Sequence, residues 1–539
     1  MGKPKVKGDR NRINSTLVKK RLQDKVNLKS PEKTICFTAI MKNEGANVKR
    51  CLDAAKNILD FVCITDTGST DNTVEEIKKW GEINKIPTTV HLSSFVNFSV
   101  SRTESVTRAK QTYPQADYHL LLDADMCLQI NTDNKVFDKK ALYEDLYLVE
   151  QFCGGVYEGS FGYWNTRLIS SKLDWICRGV THEYWEPLNK DNKFECFKIR
   201  SLRIDDRNDG GCKSDKYERD ERLLLKGLEE ETDNGVKTRY KFYLAQTYKD
   251  MGKKRESTTW YKKRIADAGW QEEVYISKLT IGRNYIELFW KYENTAKALA
   301  RINSGNSLTE YDDKELKKSL KEIQEYEDKR NNKKNKKKEK VKDDKEKDKV
   351  EDDKVEDKDK VEDDKDKEKE KDKVEDDKEK EKVEDDKNKD KDEDDINDDK
   401  ILEEVQECQE SQKTIDLSVH IKLCKSRAVK WLNRASKYSP HRNEANYSLA
   451  KFLREIGDNK ESQTIVDKCK NIPYPNHDNL FIDGKCYLQD YWLYETCINC
   501  FYIGGRFDEG RKACLTLIEN NKLSRIEIDR VRKNLAAYI

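Results

Sequence analysis

The stretch that decides the fold is FVCITDTGSTDNT, residues 61–73. It begins with a short apolar run, Phe61–Thr65, of the kind that forms a buried β-strand. The polar loop that follows, Asp66–Thr73, contains a glycine for a tight turn and several good helix N-caps. Apolar spacing over Val74–Trp80 then predicts a helix. The stretch therefore indicates a strand–loop–helix unit of an α/β sheet.

The same alternation of apolar runs and helical spacing continues on both sides of this stretch. Apolar runs rich in β-forming residues predict three further strands, and helical spacing predicts one further helix. The strands cover Thr34–Met41, Thr88–Leu92 and Tyr118–Leu122, and the helix covers Ala46–Leu59. Strands that alternate with helices favour an open, mostly parallel sheet, in which ligands bind beyond the carboxyl ends of the strands. The acidic loops at Asp66 and Asp123 both follow strands, so we expect them at that edge.

After about residue 215 the sequence becomes helical and contains an internal repeat. A small residue is followed at fixed offsets by a large apolar one, a turn glycine and a second helix. The copies are Ala245, Tyr248, Gly252, Ser257, Tyr261; Ala450, Leu453, Gly457, Ser462, Val466; and, more weakly, Ile498, Phe501, Gly505, Gly510, Cys514. The offsets match tetratricopeptide (TPR) repeats, which stack and usually present a concave peptide-binding surface. A plain helical bundle is the alternative.

Charge is concentrated in one tract, roughly residues 305–400, built from sequence such as KVEDDKVEDKDK. It has too few apolar residues to offset the loss of chain entropy on folding, so we expect a solvated insert. The 106 basic and 104 acidic residues of the chain give no field of one sign for nucleic acid or an anionic membrane. The expected segments are a disordered basic leader at 1–32, an α/β domain at 33–215, helical repeats at 216–304 and 401–539, and the insert at 305–400.

The compartment is expected to be the cytoplasm. No apolar stretch is long enough to span a membrane, and the basic N-terminus lacks the apolar segment of a secretory signal. The 15 cysteines are scattered and odd in number, which is typical of free, mostly buried thiols in a reducing compartment. Cys497 and Cys500 form a lone C-x-x-C motif, and without a second pair it does not predict a zinc site.

Three short motifs could carry chemistry. The Asp66 carboxylate could accept a hydrogen bond from a nucleobase, and the helix behind its loop favours an anion, although the loop could equally be a helix cap. In Asp123-Ala124-Asp125, two carboxylates at a strand end suit Mg²⁺ or Mn²⁺, which would hold a diphosphate leaving group. In Thr181-His182-Glu183, the imidazole could be a third metal ligand and Glu183 a general base, unless the two form an ordinary surface pair.

Together these motifs point to a known family. Five segments occur in order, Met41-Lys42-Asn43-Glu44, Asp66–Thr73, Asn97–Arg102, Asp123-Ala124-Asp125 and Gly179–Glu183. In that order and spacing, residues 34–205 resemble family 2 glycosyltransferases of the GT-A fold. The most similar subgroup has TPR-like helices fused behind the catalytic domain, and Arg239–Glu273 and Leu480–Ile539 are similar to those helices.

The resemblance implies roles for individual residues. The nucleotide of the donor, a UDP-sugar if Asp66 contacts uracil, would be bound by Thr38, Lys42, Glu44, Asp66, Arg102 and Asp123. The metal, Mn²⁺ or Mg²⁺, would be bound by Asp125 and His182, and the general base would be Glu183. These are in general inverting enzymes of the hexosyltransferase type. The repeats suggest a peptide or protein acceptor.

Two other functions stay open from the sequence. The α/β domain could be catalytically silent in a TPR scaffold or adaptor that binds a protein partner. A nucleotidyl or phosphoryl transferase is a further candidate, although the chain has no G-x-x-x-x-G-K-[ST] motif for a P-loop enzyme.

Some residues have both a functional and a structural interpretation. Trp164, Arg167 and Trp175 could bind the sugar, but tryptophan is also common in protein cores. The segment Asp205–Asp220 could be a lid whose Lys213 reaches the diphosphate, and a plain linker is the simpler interpretation.

Overall fold

The computed structural model describes residues 31–153, 162–211, 215–305, 313–328, 417–475 and 482–538, together with 307, 309 and 332. The chain divides into two compact units, Met1–Gln271 and Glu272–Ile539. The first unit contains a β-sheet, the helices on its faces and three helices that follow it, whereas the second is α-helical.

The first unit is built on one large sheet and one small hairpin. The strands are β1 (Ile35–Met41), β2 (Phe61–Asp66), β3 (Thr88–Leu92), β4 (Tyr118–Leu121), β5 (Met126–Ile130), β6 (Leu146–Cys153), β7 (Gly162–Ser170), β8 (Trp175–Arg178), β9 (Tyr184–Pro187) and β10 (Cys196–Asp206). The large sheet has the order β3-β2-β1-β4-β7-β6-β10-β5, and β8 pairs with β9.

Parallel pairing dominates the first half of this sheet. β2 and β4 both pair with β1 in parallel, and β3 pairs in parallel with β2. In the second half β10 is parallel to β6, whereas β7 is antiparallel to its two neighbours and β5 is antiparallel to β10. The predicted fold, a GT-A-type mostly parallel sheet followed by an α-helical region, is confirmed.

Helices cover both faces of the sheet. The helices of the first unit are α1 (Val48–Ala55), α2 (Thr73–Asn84), α3 (Phe98–Thr112), α4 (Lys216–Glu230), α5 (Asn234–Asp250) and α6 (Lys254–Ala266). α1 buries Val48, Leu52 and Ala55 in the main apolar core of the sheet. α3 lies on the opposite face, where Ala109 packs against Cys36 and Cys63 of the central strands. This layering places the N-terminal turns of α3 next to the carboxyl ends of β1 and β4, where Oγ of Ser105 donates to the carbonyl of Ala39.

The second unit consists of helices joined mostly by short turns. They are α7 (Gln271–Asn303), α8 (313–328), α9 (Leu417–Tyr438), α10 (Glu444–Glu455), α11 (Asn459–Cys469), α12 (Gln489–Ile503), α13 (Phe507–Asn520) and α14 (Arg525–Ala537). A buried ion pair between Arg442 and Glu444, both fully enclosed, anchors the start of α10. Glu444 also accepts a hydrogen bond from the hydroxyl of Tyr275 in α7.

Each copy of the sequence repeat forms two helices around a turn glycine. Gly252, Gly457 and Gly505 have φ values of +76°, +88° and +71°, and each follows the first helix of its pair. This left-handed conformation is the usual C-terminal helix stop for glycine. The predicted helix–turn–helix units are therefore confirmed, while their assignment as TPR repeats stays a prediction.

The start of the predicted insert is folded. Residues 313–328 form α8, in which Leu316 and Ile323 are buried. The expectation of a solvated insert is therefore wrong for these residues. The reason is that Leu316, Leu320 and Ile323 recur at helical spacing within sequence that is otherwise charged. Most of the remaining insert, and residues 1–30 of the predicted leader, lie outside the described residues.

The described cysteines agree with the expected free thiols. None of the thirteen is in a disulfide, and ten of them are buried. Within the part of the chain that the structure covers, no helix is long and apolar enough to cross a membrane.

Candidate active site

Arg102 joins two of the predicted site residues. It lies in the first turns of α3, and Asp123 lies two residues beyond the end of β4. Nη2 of Arg102 donates to Oδ1 of Asp123 at 2.8 Å, and its Nε lies 2.7 Å from Oε1 of Glu183. The three side chains are between 15% and 27% exposed, so they form a partly buried cluster at the carboxyl edge of the sheet. The structure thus brings Arg102, Asp123 and Glu183 together in one cluster.

The charges of this cluster depend on one another. Burial opposes the charge of Arg102, but the carboxylates of Asp123 and Glu183 outweigh it and hold the pKa of Arg102 above its ordinary value. For Asp123 burial would raise the pKa, and the cations Arg102 and Arg167 reverse that effect and lower it. Both groups therefore stay charged across the physiological pH range.

Asp123 is supported by a network of polar side chains that the sequence did not predict. Nη1 of Arg167 lies 3.8 Å from Oδ2 of Asp123 and donates to the carbonyl of Leu121 at 3.2 Å. The buried Gln151 orients Arg167 by accepting from its Nη2 at 2.7 Å, and donates to Oδ2 of Asp206 at 2.8 Å. Strands β6, β7 and β10 supply these side chains, so the unpredicted half of the sheet forms the floor of the site.

One loop, which contains Gly210 and Gly211, donates hydrogen bonds to both Asp125 and Glu44. The amide of Gly210 donates to Oδ2 of Asp125 at 3.3 Å, and the amide of Gly211 donates to Oε1 of Glu44 at 2.9 Å. Asp209 in the same loop forms a two-point ion pair with Arg50 of α1. The described part of Asp205–Asp220 is thus folded onto the site, which goes beyond a plain linker. Lys213 lies outside the described residues.

The carboxylates under this loop offer part of a metal site. Oδ2 of Asp125 and Oε1 of Glu44 each lie 3.1 Å from the position that a Cβ would occupy on Gly210. Burial raises the pKa of Glu44, and the charges of Asp125 and Asp123 add to that increase. Two converging carboxylates fit Mg²⁺ or Mn²⁺, which take one or two protein carboxylates and complete their shell with phosphate oxygens and water. In the described chain, however, no three His, Cys, Asp or Glu side chains are arranged around one point as ligands.

His182 contacts helix α5 through its ring. The imidazole stacks on Tyr243 of α5, with centroids 3.9 Å apart and planes 7° from parallel. Desolvation of the stacked face lowers the pKa of His182, and the charges of Arg239 and Lys216 lower it further. The imidazole is therefore neutral at physiological pH, the state that metal binding requires. Its role as a metal ligand stays a prediction.

The Asp66 loop is tied to the loop after β1. Oδ1 of Asp66 accepts from the amides of Gly68 and Ser69 at 3.1 and 3.0 Å, and Oδ2 accepts from the hydroxyl of Ser69. Oδ1 of Asn43 accepts from the amide of Thr70 at 2.8 Å. Asp66 is 3% exposed, so its carboxylate stabilises the loop as a cap would. A contact with a nucleobase stays a prediction.

Two other residues predicted to bind the nucleotide, Thr38 and Lys42, lie in different environments. Thr38 is buried inside the sheet, and its hydroxyl lies 3.1 Å from Nδ1 of His119. Lys42 is exposed at the end of β1. The structure therefore does not bring Thr38 to the cluster of Arg102, Asp123 and Glu183.

The tryptophans proposed for the sugar differ in environment. Trp175 is 4% exposed, and its indole N–H donates to the carbonyl of Ser170, which is the core interpretation. Trp164 is half-buried and has Lys198 and Arg200 near its ring, with Nζ of Lys198 5.0 Å from the centroid. Of the three residues considered for the sugar, Arg167 is the one that reaches the acidic cluster.

Comparison with known families identifies the first domain. Residues 38–205 match the family described as Glycosyl transferase family 2. The match begins in β1 and ends in β10, so it contains the sheet, Arg102, Asp123, Asp125 and Glu183. The match supports a family 2 glycosyltransferase domain over these residues, and the sheet is of the GT-A type. The family match does not extend into the helical repeats.

Comparison with solved structures gives low scores. The chain is similar to residues 1–349 of S. aureus TarS, with 11% identity and a TM-score of 0.23, over 47% of this chain and 80% of that one. The same fragment of TarS in complex with UDP gives 12% identity and a TM-score of 0.21 over the same shares. No curated protein matches the sequence.

Proposed function

We propose that this protein transfers a sugar from a nucleotide donor, a UDP-sugar, to a peptide or protein acceptor by a metal-dependent inverting displacement. The family match of residues 38–205 supports the glycosyltransferase activity. The sugar, the nucleoside, the metal and the acceptor are the proposed parts. We further propose that the protein acts in the cytoplasm, since its described cysteines are free thiols.

One observation carries the proposal, namely the placement of Arg102 between Asp123 and Glu183. Asp123 belongs to the acidic turn after β4, which is suited to the nucleotide and its metal. Glu183 belongs to the loop between β8 and β9, which is suited to the acceptor. One guanidinium contacts both carboxylates, which supports a site where donor and acceptor would meet within one small cluster.

The reaction itself is a single displacement. The nucleophilic atom of the acceptor attacks the anomeric carbon, and the bond between that carbon and the diphosphate oxygen breaks. Glu183 takes the proton that the nucleophile loses, and the nucleoside diphosphate leaves with the electron pair. A bound Mg²⁺ or Mn²⁺ would neutralise charge on this leaving group. Asp125, with Glu44 beside it, would hold that ion.

Arg102 has a second task in this scheme. Its positive charge lies between two carboxylates, so it keeps them from repelling each other before the donor arrives. A nucleotide diphosphate would bring further negative charge to the same edge of the sheet. The neighbouring Arg167 is one described group that can offset it.

The test is release of nucleoside diphosphate from a panel of UDP- and GDP-sugars in the presence of Mn²⁺. We expect release from one donor, and its loss on chelation and in Asp125→Ala. The control is Asp174→Ala, because Asp174 is a surface carboxylate, 72% exposed, that pairs with Lys110. Release that persists after chelation and in Asp125→Ala would refute metal dependence. No release and no nucleotide binding by calorimetry would favour the adaptor function.

The acceptor needs a separate test. A labelled sugar from the active donor is incubated with the full chain and a cell extract, and the protein and small-molecule fractions are then counted. Label in the protein fraction is expected, with a decrease when the exposed Tyr502 of α12 and Leu515 of α13 are changed to serine. Label that enters the small-molecule or polysaccharide fraction alone would contradict a protein acceptor.

A further inference from the structure

The loop that carries Glu183 has an unusual backbone. It connects β8 to β9 through Gly179–Glu183, and both Gly179 and His182 have positive φ, +107° and +51°. A histidine in the left-handed region is uncommon and persists only where surrounding contacts enforce it. The structure therefore needs an external support for this loop.

Helix α5, beyond the sheet domain, provides that support. The hydroxyl of Tyr240 accepts from the amide of Val180 at 3.1 Å. The guanidinium of Arg239 donates to the carbonyl of His182 from Nη2 at 2.9 Å and from Nε at 3.2 Å. The ring of Tyr243 stacks on the His182 imidazole. Three side chains from two neighbouring turns of one helix thus contact the loop.

Arg239 acts on the peptide group that precedes Glu183. The carbonyl of His182 and the Cα of Glu183 belong to the same planar peptide unit, so holding the carbonyl restrains the position of the Cα from which the Glu183 side chain leaves the backbone. The guanidinium of Arg239 lies over two aromatic rings, 4.8 Å from the centroid of Tyr243 and 5.5 Å from that of Tyr184. The planar fork of arginine can therefore reach one oxygen with two N–H groups.

We propose that Arg239 is a positioning residue that aligns Glu183 with Arg102 through the His182 carbonyl. The inference rests on the proposed function, because it takes Glu183 as the base of the transfer. It also assigns the first repeat helix to the catalytic machinery, in addition to any part it has in acceptor binding. A truncation that removes residues from 238 onward would remove this support together with the repeats.

The experiment compares Arg239→Met and Arg239→Lys with wild type in the full chain. For Arg239→Met we expect kcat to fall by about 10- to 100-fold, as a small misplacement of a reacting group does, while KM for the sugar nucleotide changes by less than about threefold. Arg239→Lys, which keeps one donor, should recover part of that loss. The control is Lys249→Met, at the other end of α5, where Lys249 pairs with Asp250.

A double-mutant cycle separates positioning from a general loss of structure. If Arg239 acts through Glu183, Arg239→Met should lower the residual rate of the Glu183→Gln variant by less than about twofold. An equal loss in both backgrounds would overturn the inference, as would an unchanged kcat of Arg239→Met in an active enzyme.

Amide hydrogen exchange supplies a measurement that does not depend on turnover. We expect exchange of the peptide that contains residues 179–183 to become at least about tenfold faster in Arg239→Met and to stay unchanged in Lys249→Met. Unchanged exchange in Arg239→Met would overturn the support of the loop by α5. If the loop responds but the wild type releases nucleotide from no donor, the proposed function fails and the structural support stands.

Discussion

Asp123 and Glu183 share one cation, because Arg102 donates to Asp123 at 2.8 Å and lies 2.7 Å from Glu183 through its Nε. The three residues come from different elements, namely α3, the turn after β4 and the loop before β9. Helix α3 therefore ties the two acidic segments into a single site. Two carboxylates this close to each other would otherwise repel, so the first prediction concerns the arginine.

Replacement of Arg102 by methionine should disable the site and destabilise the domain. Two partly buried carboxylates would lose their common partner, which should cost about 2–4 kcal/mol of unfolding free energy. Nucleotide release should fall about 100-fold or more, since both groups would shift. Urea denaturation and the release assay measure the two effects. Arg108→Met is the matched control, because Arg108 forms an i,i+4 pair with Glu104 on the same helix, a contact worth only about 0.5 kcal/mol. Equal effects of the two substitutions would contradict the bridging role.

Gln151 is expected to matter through Arg167, although the sequence did not single it out. It is 1% exposed and links Arg167 to Asp206 through hydrogen bonds on both ends of its amide. In Gln151→Leu, Arg167 and Asp206 should each lose a hydrogen bond, which should lower the free energy of unfolding by about 2–3 kcal/mol. Because Arg167 lies beside Asp123, turnover should fall as well. Thermal unfolding and the release assay test this, with the exposed Gln115→Leu as control. A neutral Gln151→Leu variant would show that Arg167 is oriented by other groups.

At Gly211 the loop over the acidic residues lies close to the backbone that follows β1. A Cβ on Gly211 would lie 2.0 Å from the backbone oxygen of Asn43, so alanine cannot fit without displacing the loop. We expect Gly211→Ala to detach 207–211, to speed its amide exchange about tenfold or more and to weaken donor binding. Gly484→Ala, where a Cβ meets nothing within 4 Å, should leave exchange and binding unchanged. Donor binding that improves in Gly211→Ala would instead identify the loop as an obstruction to the donor.

The sequence predicts the first half of the sheet well for a physical reason. β1, β2 and β4 are apolar runs buried on both faces, and each is followed by a helix or an acidic turn, so their pattern is unambiguous. Strands β6 and β7 were missed because they carry polar side chains, among them Gln151 and Arg167, on the face that forms the floor of the site. Polar positions of this kind weaken the apolar pattern from which a buried strand is ordinarily recognised.

The sequence predicts which residues form the candidate site, but only some of the contacts between them. The motif order located Arg102, Asp123 and Glu183, which the structure brings together. The bonds of Gly211 to Glu44 and of Arg239 to the His182 carbonyl join residues 167 and 57 positions apart. Local sequence periodicity does not predict such pairs, because each contact depends on how a loop or helix packs against the sheet. Thr38 shows the opposite case, since its place in a family motif did not reveal that its side chain faces the core.

The buried His119 leads to a prediction about pH and stability. It is 1% exposed and lies between the hydroxyls of Thr38 and Ser171, 3.1 Å from each. Burial, with a smaller contribution from the charge of Lys110, lowers the pKa of His119 to about 4. In the unfolded chain a histidine has a pKa of about 6.5, so between pH 6.5 and 4 the unfolded state binds more protons than the folded state. The unfolding free energy should therefore decrease as the pH falls through this window, by about 3 kcal/mol in total.

The measurement is urea denaturation of wild type and of His119→Gln at pH 7 and at pH 4.5. The glutamine variant cannot take up the proton, so the stability that it loses relative to wild type should shrink by about 2–3 kcal/mol at the lower pH. Titration of the many surface carboxylates acts on both proteins alike and cancels in the difference. A difference between the two proteins that is the same at both pH values would show that His119 is protonated equally in the folded and the unfolded chain. In that case the hydroxyls of Thr38 and Ser171 would have to accept hydrogen bonds from a charged imidazole inside the sheet.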